Sequence, residues 1–65
     1  GWQNVDNQWY YMNADGAMMS GWILSNHKWY YLGTNGIMYA STITPDGYQV
    51  NADGAWVIDG IVQTQ

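Results

Sequence analysis

A chain of 65 residues makes one small domain at most, and with no Cys and a single His (His27) neither disulfides nor a Cys/His zinc site can staple it. One Lys, no Arg and five Asp leave a net charge of −4, which argues against nucleic acid and anionic membrane surfaces and suits a cationic ligand. No apolar run approaches the ~18 residues of a membrane span, and the opening residues do not read as a secretory leader.

Five Trp and six Tyr make up 17% of the chain, and Phe is absent. Phe or Leu would serve a plain core; Trp and Tyr add a polar edge and an electron-rich face. Together with eight Gly and only 9% charged residues, this composition points to a turn-rich all-β protein.

The first predicted unit, residues 1–20, recurs as residues 21–40. Gly1-Trp2 returns as Gly21-Trp22, Trp9-Tyr10-Tyr11 as Trp29-Tyr30-Tyr31, Gly16 as Gly36 and Met18 as Met38, so seven of the 20 positions are identical. Within a unit, Trp9–Met12 reads as a strand and Asn13-Ala14-Asp15-Gly16 as a turn with Gly in the left-handed position. Ala17–Met19 reads as the return strand. Trp29–Leu32, Gly33–Gly36 and Ile37–Tyr39 repeat the plan, and Gly21–Lys28 reads as a connector. The third unit, 41–58, is degenerate. Asn51-Ala52-Asp53-Gly54 matches Asn13–Gly16 letter for letter and places Tyr48 on Tyr30, but Thr42 and Gly47 stand where both Trp residues stood. Residues 59–65 are expected as a tail.

A lone hairpin is marginal in water, so three in tandem should stack into a solenoid, each offering one aromatic face forward and one backward. Tyr11, Tyr31, Met12, Leu32 and Val50 are the expected core. Trp56 is expected to cover the end of the stack with Ile58 and Ile61. Asp15, Asp46 and Asp53 belong to turns, and the NADG loops lack the alternating carboxylates of a calcium loop. Ser25 and His27 form no triad, and without Glu or paired carboxylates no glycosidase acid and nucleophile are present. The chain reads as a non-enzyme with no cofactor or metal.

The run Gly1-Trp2…Trp9-Tyr10-Tyr11…Gly16-Ala17-Met18…Gly21-Trp22 resembles the bacterial choline-binding, or cell-wall-binding, repeat, closely over 1–40 and loosely over 41–58. The resemblance implies a short left-handed β-solenoid of three stacked hairpin repeats, with 1–65 as a single module. It implies an extracellular place on the Gram-positive wall and a ligand, the choline of teichoic and lipoteichoic acids, held between consecutive hairpins without membrane insertion. Carried over, site one is Trp2, Trp9 and Tyr30 with Met18 near, and site two is Trp22, Trp29 and Tyr48 with Met38 near. Choline's trimethylammonium head has no N–H to donate, so aromatic faces contributing about 0.5–2 kcal/mol each suit it better than a carboxylate alone. Tyr10, equivalent to Tyr30, lacks a preceding repeat, so the chain is expected to be part of a longer protein or to meet a second copy in a homodimer. Two alternatives remain open from the residues: polysaccharide binding, as in related glucan-binding repeats, and a structural spacer or dimerisation tail using Ile58, Ile61 and Val62.

Overall fold

The structure, a computed structural model, describes residues 1–65. Eight strands run in chain order as β1 (Trp2–Val5), β2 (Gln8–Tyr11), β3 (Gly21–Ser25), β4 (Lys28–Leu32), β5 (Thr42–Ile43), β6 (Gln49–Val50), β7 (Trp56–Ile58) and β8 (Ile61–Val62). All pairings are antiparallel. β1–β2 and β3–β4 are two-stranded sheets, and β5–β6–β7–β8 is a four-stranded meander. The protein is all-β, as its composition suggested.

In the first two units the hairpins lie elsewhere than the turn tetrads suggest, whereas in the third β6 and β7 flank the Asn51–Gly54 tetrad, matching the expected hairpin of Gly47–Val50 and Ala55–Ile58. Gly21–Ser25, expected as a connector, is a strand, and it pairs with Lys28–Leu32 in the register Gly21↔Leu32 to Ser25↔Lys28. The loop between them is two residues, Asn26 and His27, both with positive φ (56° and 68°). Asp6 and Asn7 (53° and 66°) do the same between β1 and β2. Two consecutive positive φ values define the type I′ turn, whose twist suits a two-residue hairpin, and Asn and Asp tolerate that conformation. The third unit departs from this plan. Its β5–β6 loop spans Thr44 to Tyr48, closed by Gly47 N–H to the Thr44 carbonyl (2.9 Å) and Thr44 N–H to the Tyr48 carbonyl (2.8 Å).

The tetrads are tight loops as expected, but they lead into almost no strand. Asn13 Oδ1 accepts from the backbone N–H of Asp15 and Ala17, and Gly16 N–H returns to the Asn13 carbonyl. Asn51 repeats this with Asp53, Ala55 and Gly54. The expected return strands shrink to single bridges, Met12↔Met18 and Leu32↔Met38. Only in the third unit does the return segment extend into a ladder, Val50↔Trp56 and Gln49↔Val57. The segment expected as a tail continues it: Asp59 and Gly60 form another positive-φ turn, and β8 pairs with β7.

Consecutive units are joined by backbone hydrogen bonds. Met38 N–H donates to the Trp9 carbonyl at 2.9 Å, and bridges link Tyr30 to Ala55 and Lys28 to Thr64. The apolar core is small: Ile23, Leu32, Val50, Ala55 and Val57, of which only Leu32 and Val50 are fully buried. Tyr11, Tyr31 and Met12, also expected as core, are half-buried. Aromatic pairs supply much of the remaining cohesion. Tyr11 meets Trp2 at 5.1 Å and 81°, and Tyr31 meets Trp22 at 5.1 Å and 66°. Such edge-to-face pairs are worth about 0.5–1.5 kcal/mol each beyond buried area.

Candidate functional site

The hairpin register decides which side chains share a face. On β1–β2, Trp2 lies opposite Tyr11 and Asn4 opposite Trp9, so Trp2, Trp9 and Tyr11 project to one side. On β3–β4, Trp22 lies opposite Tyr31 and Leu24 opposite Trp29, which groups Trp22, Trp29 and Tyr31. Tyr30, paired with Ile23, projects to the opposite side of that hairpin, back toward the first unit. Alternation along a strand thus gives the second hairpin two working faces.

Two open hollows result, the first between the first two units with Asp53 of the third beside them, the second between the second and third units. The first, of about 230 Å³, is lined by Trp2, Trp9, Tyr30, Met38 and Asp53. The second, of about 310 Å³, is lined by Trp22, Trp29, Tyr48 and Trp56. Their walls stand nearly perpendicular. Trp2 meets Trp9 at 87° and Tyr30 at 74°, with centroids 6.3 and 5.1 Å apart. Trp22 meets Tyr48 at 84° and Trp56 at 64°, and Tyr48 meets Trp56 at 86°. Rings set at right angles offer electron-rich faces to a common centre from different directions, while each pair keeps a favourable edge contact.

The Trp indole N–H groups anchor these walls to the next unit. Trp2 Nε1 donates to Ser25 Oγ at 3.2 Å, and Trp22 Nε1 to Asp46 Oδ2 at 3.0 Å. Trp29 Nε1 donates to Gln65 Oε1 at 3.1 Å. Gln65 is itself held by its backbone N–H on the His27 carbonyl and by its carbonyl against His27 Nδ1, both at 2.9 Å. Residues 61–65 therefore position a wall of the second hollow. Trp9 and Tyr48 remain 43% and 47% exposed, so the hollows open to solvent on the side those rings form.

A model of the choline-binding repeat matches residues 1–42 of the chain. The chain belongs to the choline-binding repeat family. Among solved structures, the choline-binding domain of Spr1274 from Streptococcus pneumoniae is 37% identical with a TM-score of 0.81, covering 91% of this chain and 94% of that one. The modular autolysin LytC from the same organism is 33% identical with a TM-score of 0.79, over 88% of this chain and 14% of LytC. Choline binding protein F from S. pneumoniae is 35% identical with a TM-score of 0.55, over 89% and 26%. This choline-binding module thus matches nearly the whole of the first and a small part of the other two. Among curated protein sequences, none matches it.

The structure brings Trp2, Trp9 and Tyr30 together, and likewise Trp22, Trp29 and Tyr48. Both methionine placements require correction. Met18 does not line the first hollow; it is 50% exposed and packs on Gly36. Met38 lines the first hollow and not the second, because its segment folds back to hydrogen-bond Trp9. Trp56, expected as an end cover with Ile58 and Ile61, instead walls the second hollow, while Ile58 and Ile61 stay 49% and 68% exposed. The rule is a shift of one unit: the residue two after the loop glycine closes the hollow opened by the preceding unit's Trp pair. Gly36-Ile37-Met38 and Gly54-Ala55-Trp56 obey it alike; the alignment of loop glycines makes Met38 and Trp56 equivalent but does not say which hollow they close. Asp53 was read only as a turn residue, and its loop brings it to the rim of the first hollow.

Proposed function

We propose that this module is a non-catalytic attachment unit that holds choline groups of teichoic and lipoteichoic acids at the bacterial cell surface, one in each hollow. The perpendicular Trp and Tyr walls carry the reading. A quaternary ammonium head cannot donate a conventional hydrogen bond, and its natural host is a cage of aromatic faces. The second hollow supplies four such faces and the first three with a polarizable Met38 sulfur. The net charge of −4 favours a cationic guest over an anionic one.

The arrangement of units supports a left-handed β-solenoid of three stacked hairpins, with extents of 35 × 22 × 20 Å. The likeness to choline-binding domains, one of them within a modular autolysin, supports residues 1–65 as one module of an extracellular protein whose other parts set what is attached. Sugar sites combine stacking rings with polar side chains that meet hydroxyls, and the second hollow is lined by aromatic residues alone. Choline is therefore favoured over a glucan. Paired titrations followed by Trp fluorescence should show a saturable change with choline and none with dextran. Saturation by dextran with no response to choline would overturn the assignment.

A further inference from the structure

Consecutive units also meet through methionines. Two residues after the loop glycine of each of the first two units stands a Met, in Gly16-Ala17-Met18 and Gly36-Ile37-Met38. Each sulfur lies against the loop glycine of the next unit. A Cβ on Gly36 would stand 2.8 Å from Met18 Cγ and nearer still to its Sδ, and one on Gly54 would stand 2.6 Å from Met38 Sδ. Only a bare Cα leaves room for the sulfur, and φ values of 85° and 87° call for glycine independently. Gly36 and Gly54 are buried, whereas Gly16, with nothing within 4 Å of its Cβ position, is exposed. The two contacts differ in access. Met18 is 50% exposed, while Met12, Met19 and Met38 are half-buried. Met18 is therefore the one methionine that is both open to solvent and seated between units.

We propose that Met18 is a site of oxidation by peroxides, and that its sulfoxide loosens the first unit from the second. The proposal stands apart from the choline reading, because Met18 lines neither hollow. In the step, a sulfur lone pair attacks one oxygen of hydrogen peroxide, an S–O bond forms and the O–O bond breaks. Sulfur gives up two electrons. The second oxygen leaves as water, taking the proton that the transferred oxygen releases. The product sets a strong hydrogen-bond acceptor where a soft apolar contact stood. The N–H groups on either side of the Gly36 Cα are already taken: Gly36 donates to the Gly33 carbonyl at 2.8 Å and Ile37 to Asn35 Oδ1 at 3.1 Å. The new oxygen must turn to water, which draws the sulfur off Gly36. The first unit is then held by Trp2 against Tyr30 and Ser25 and by the Met38 N–H bond to the Trp9 carbonyl.

The test treats the native chain with graded hydrogen peroxide, locates the added oxygen by peptide mass mapping and follows melting by circular dichroism. Met18 should be the first of the four methionines to gain oxygen. At the dose that converts it, the melting temperature should fall by roughly 4 °C or more. Methionine sulfoxide reductases acting on both epimers should restore the native midpoint. Met18→Leu keeps apolar bulk over Gly36 and removes the sulfur, so the same dose should leave its midpoint within about one degree of its untreated value. Another methionine oxidised ahead of Met18, a Met18 sulfoxide that melts with the native protein, or a fall that the reductases do not reverse would overturn the proposal on the native chain alone. A Met18→Leu variant whose midpoint fell as far as the native one under peroxide would overturn it as well.

Discussion

Saturating choline should raise the melting temperature of this module by at least about ten degrees. A ligand that binds only the folded state stabilises it by RT ln(1 + [L]/Kd), about 2.7 kcal/mol per hollow at a hundredfold excess over Kd. Neither hollow exists in the unfolded chain, since each draws walls from residues far apart in sequence, such as Trp2 with Tyr30 and Trp22 with Trp56. In a domain of this size, 1 kcal/mol moves the midpoint by roughly 4–8 °C. One occupied hollow thus accounts for ten degrees, and two for about twice that. The effect is large because the apolar core is small: two residues are fully buried, and much of the contact between units runs through the ring walls that the ligand would tie together. Differential scanning calorimetry across a choline series checks this. A midpoint that stays fixed at saturating choline contradicts it.

Removing Trp22 should have the largest effect of any single ring. Trp22 touches Tyr31, Tyr48 and Trp56, with centroids at 5.1, 5.7 and 6.5 Å, and donates to Asp46 at 3.0 Å. It joins the second unit to the third as well as walling the second hollow. Truncating a packed Trp to Ala costs about 3–5 kcal/mol, and a core of this size rarely supplies more than that in total. Trp22→Ala should therefore be largely unfolded at 25 °C without ligand, by near-ultraviolet circular dichroism and by urea titration. Trp9→Ala should be milder, because Trp9 is 43% exposed and its one close ring partner is Trp2 at 6.3 Å. A Trp22→Ala variant that melted within a few degrees of the native protein would show that the rings between units contribute little to stability.

The resemblance to the choline-binding repeat supplied the grouping of rings, and the repeat and strand alternation agree with it. Gly-Trp and Trp-Tyr-Tyr recur at a 20-residue period, and strand alternation then sends Trp29 forward and Tyr30 back. The hairpins themselves were harder to see. The type I′ loops are Asp6-Asn7 and Asn26-His27, neither of which carries the Gly that usually marks such a turn, whereas the NADG and GTNG tetrads carry it plainly. Those tetrads are real loops, but only one bridge follows each of the first two, so strand was expected where the backbone merely returns. The methionine error had the same origin. Nothing in a linear repeat shows that the segment after a loop glycine leans on the preceding unit, and the bond from Met38 N–H to the Trp9 carbonyl is visible only in three dimensions. β8 was missed because Asp59-Gly60 falls beyond the third copy, where the period no longer guides the eye.

The central claim is that each hollow holds one choline between two consecutive units, and Tyr48→Leu with calorimetric titration tests it most directly. Tyr48 is a wall of the second hollow only, is 47% exposed and touches Trp22 and Trp56 edge-on at 5.7 Å each. Leu keeps apolar bulk there and removes the aromatic face, so the domain should stay folded. The native module should bind two cholines per chain and Tyr48→Leu one, with the remaining affinity that of the first hollow. A folded variant that still bound two would contradict the assignment of the second hollow, and a native stoichiometry other than two would contradict the account as a whole.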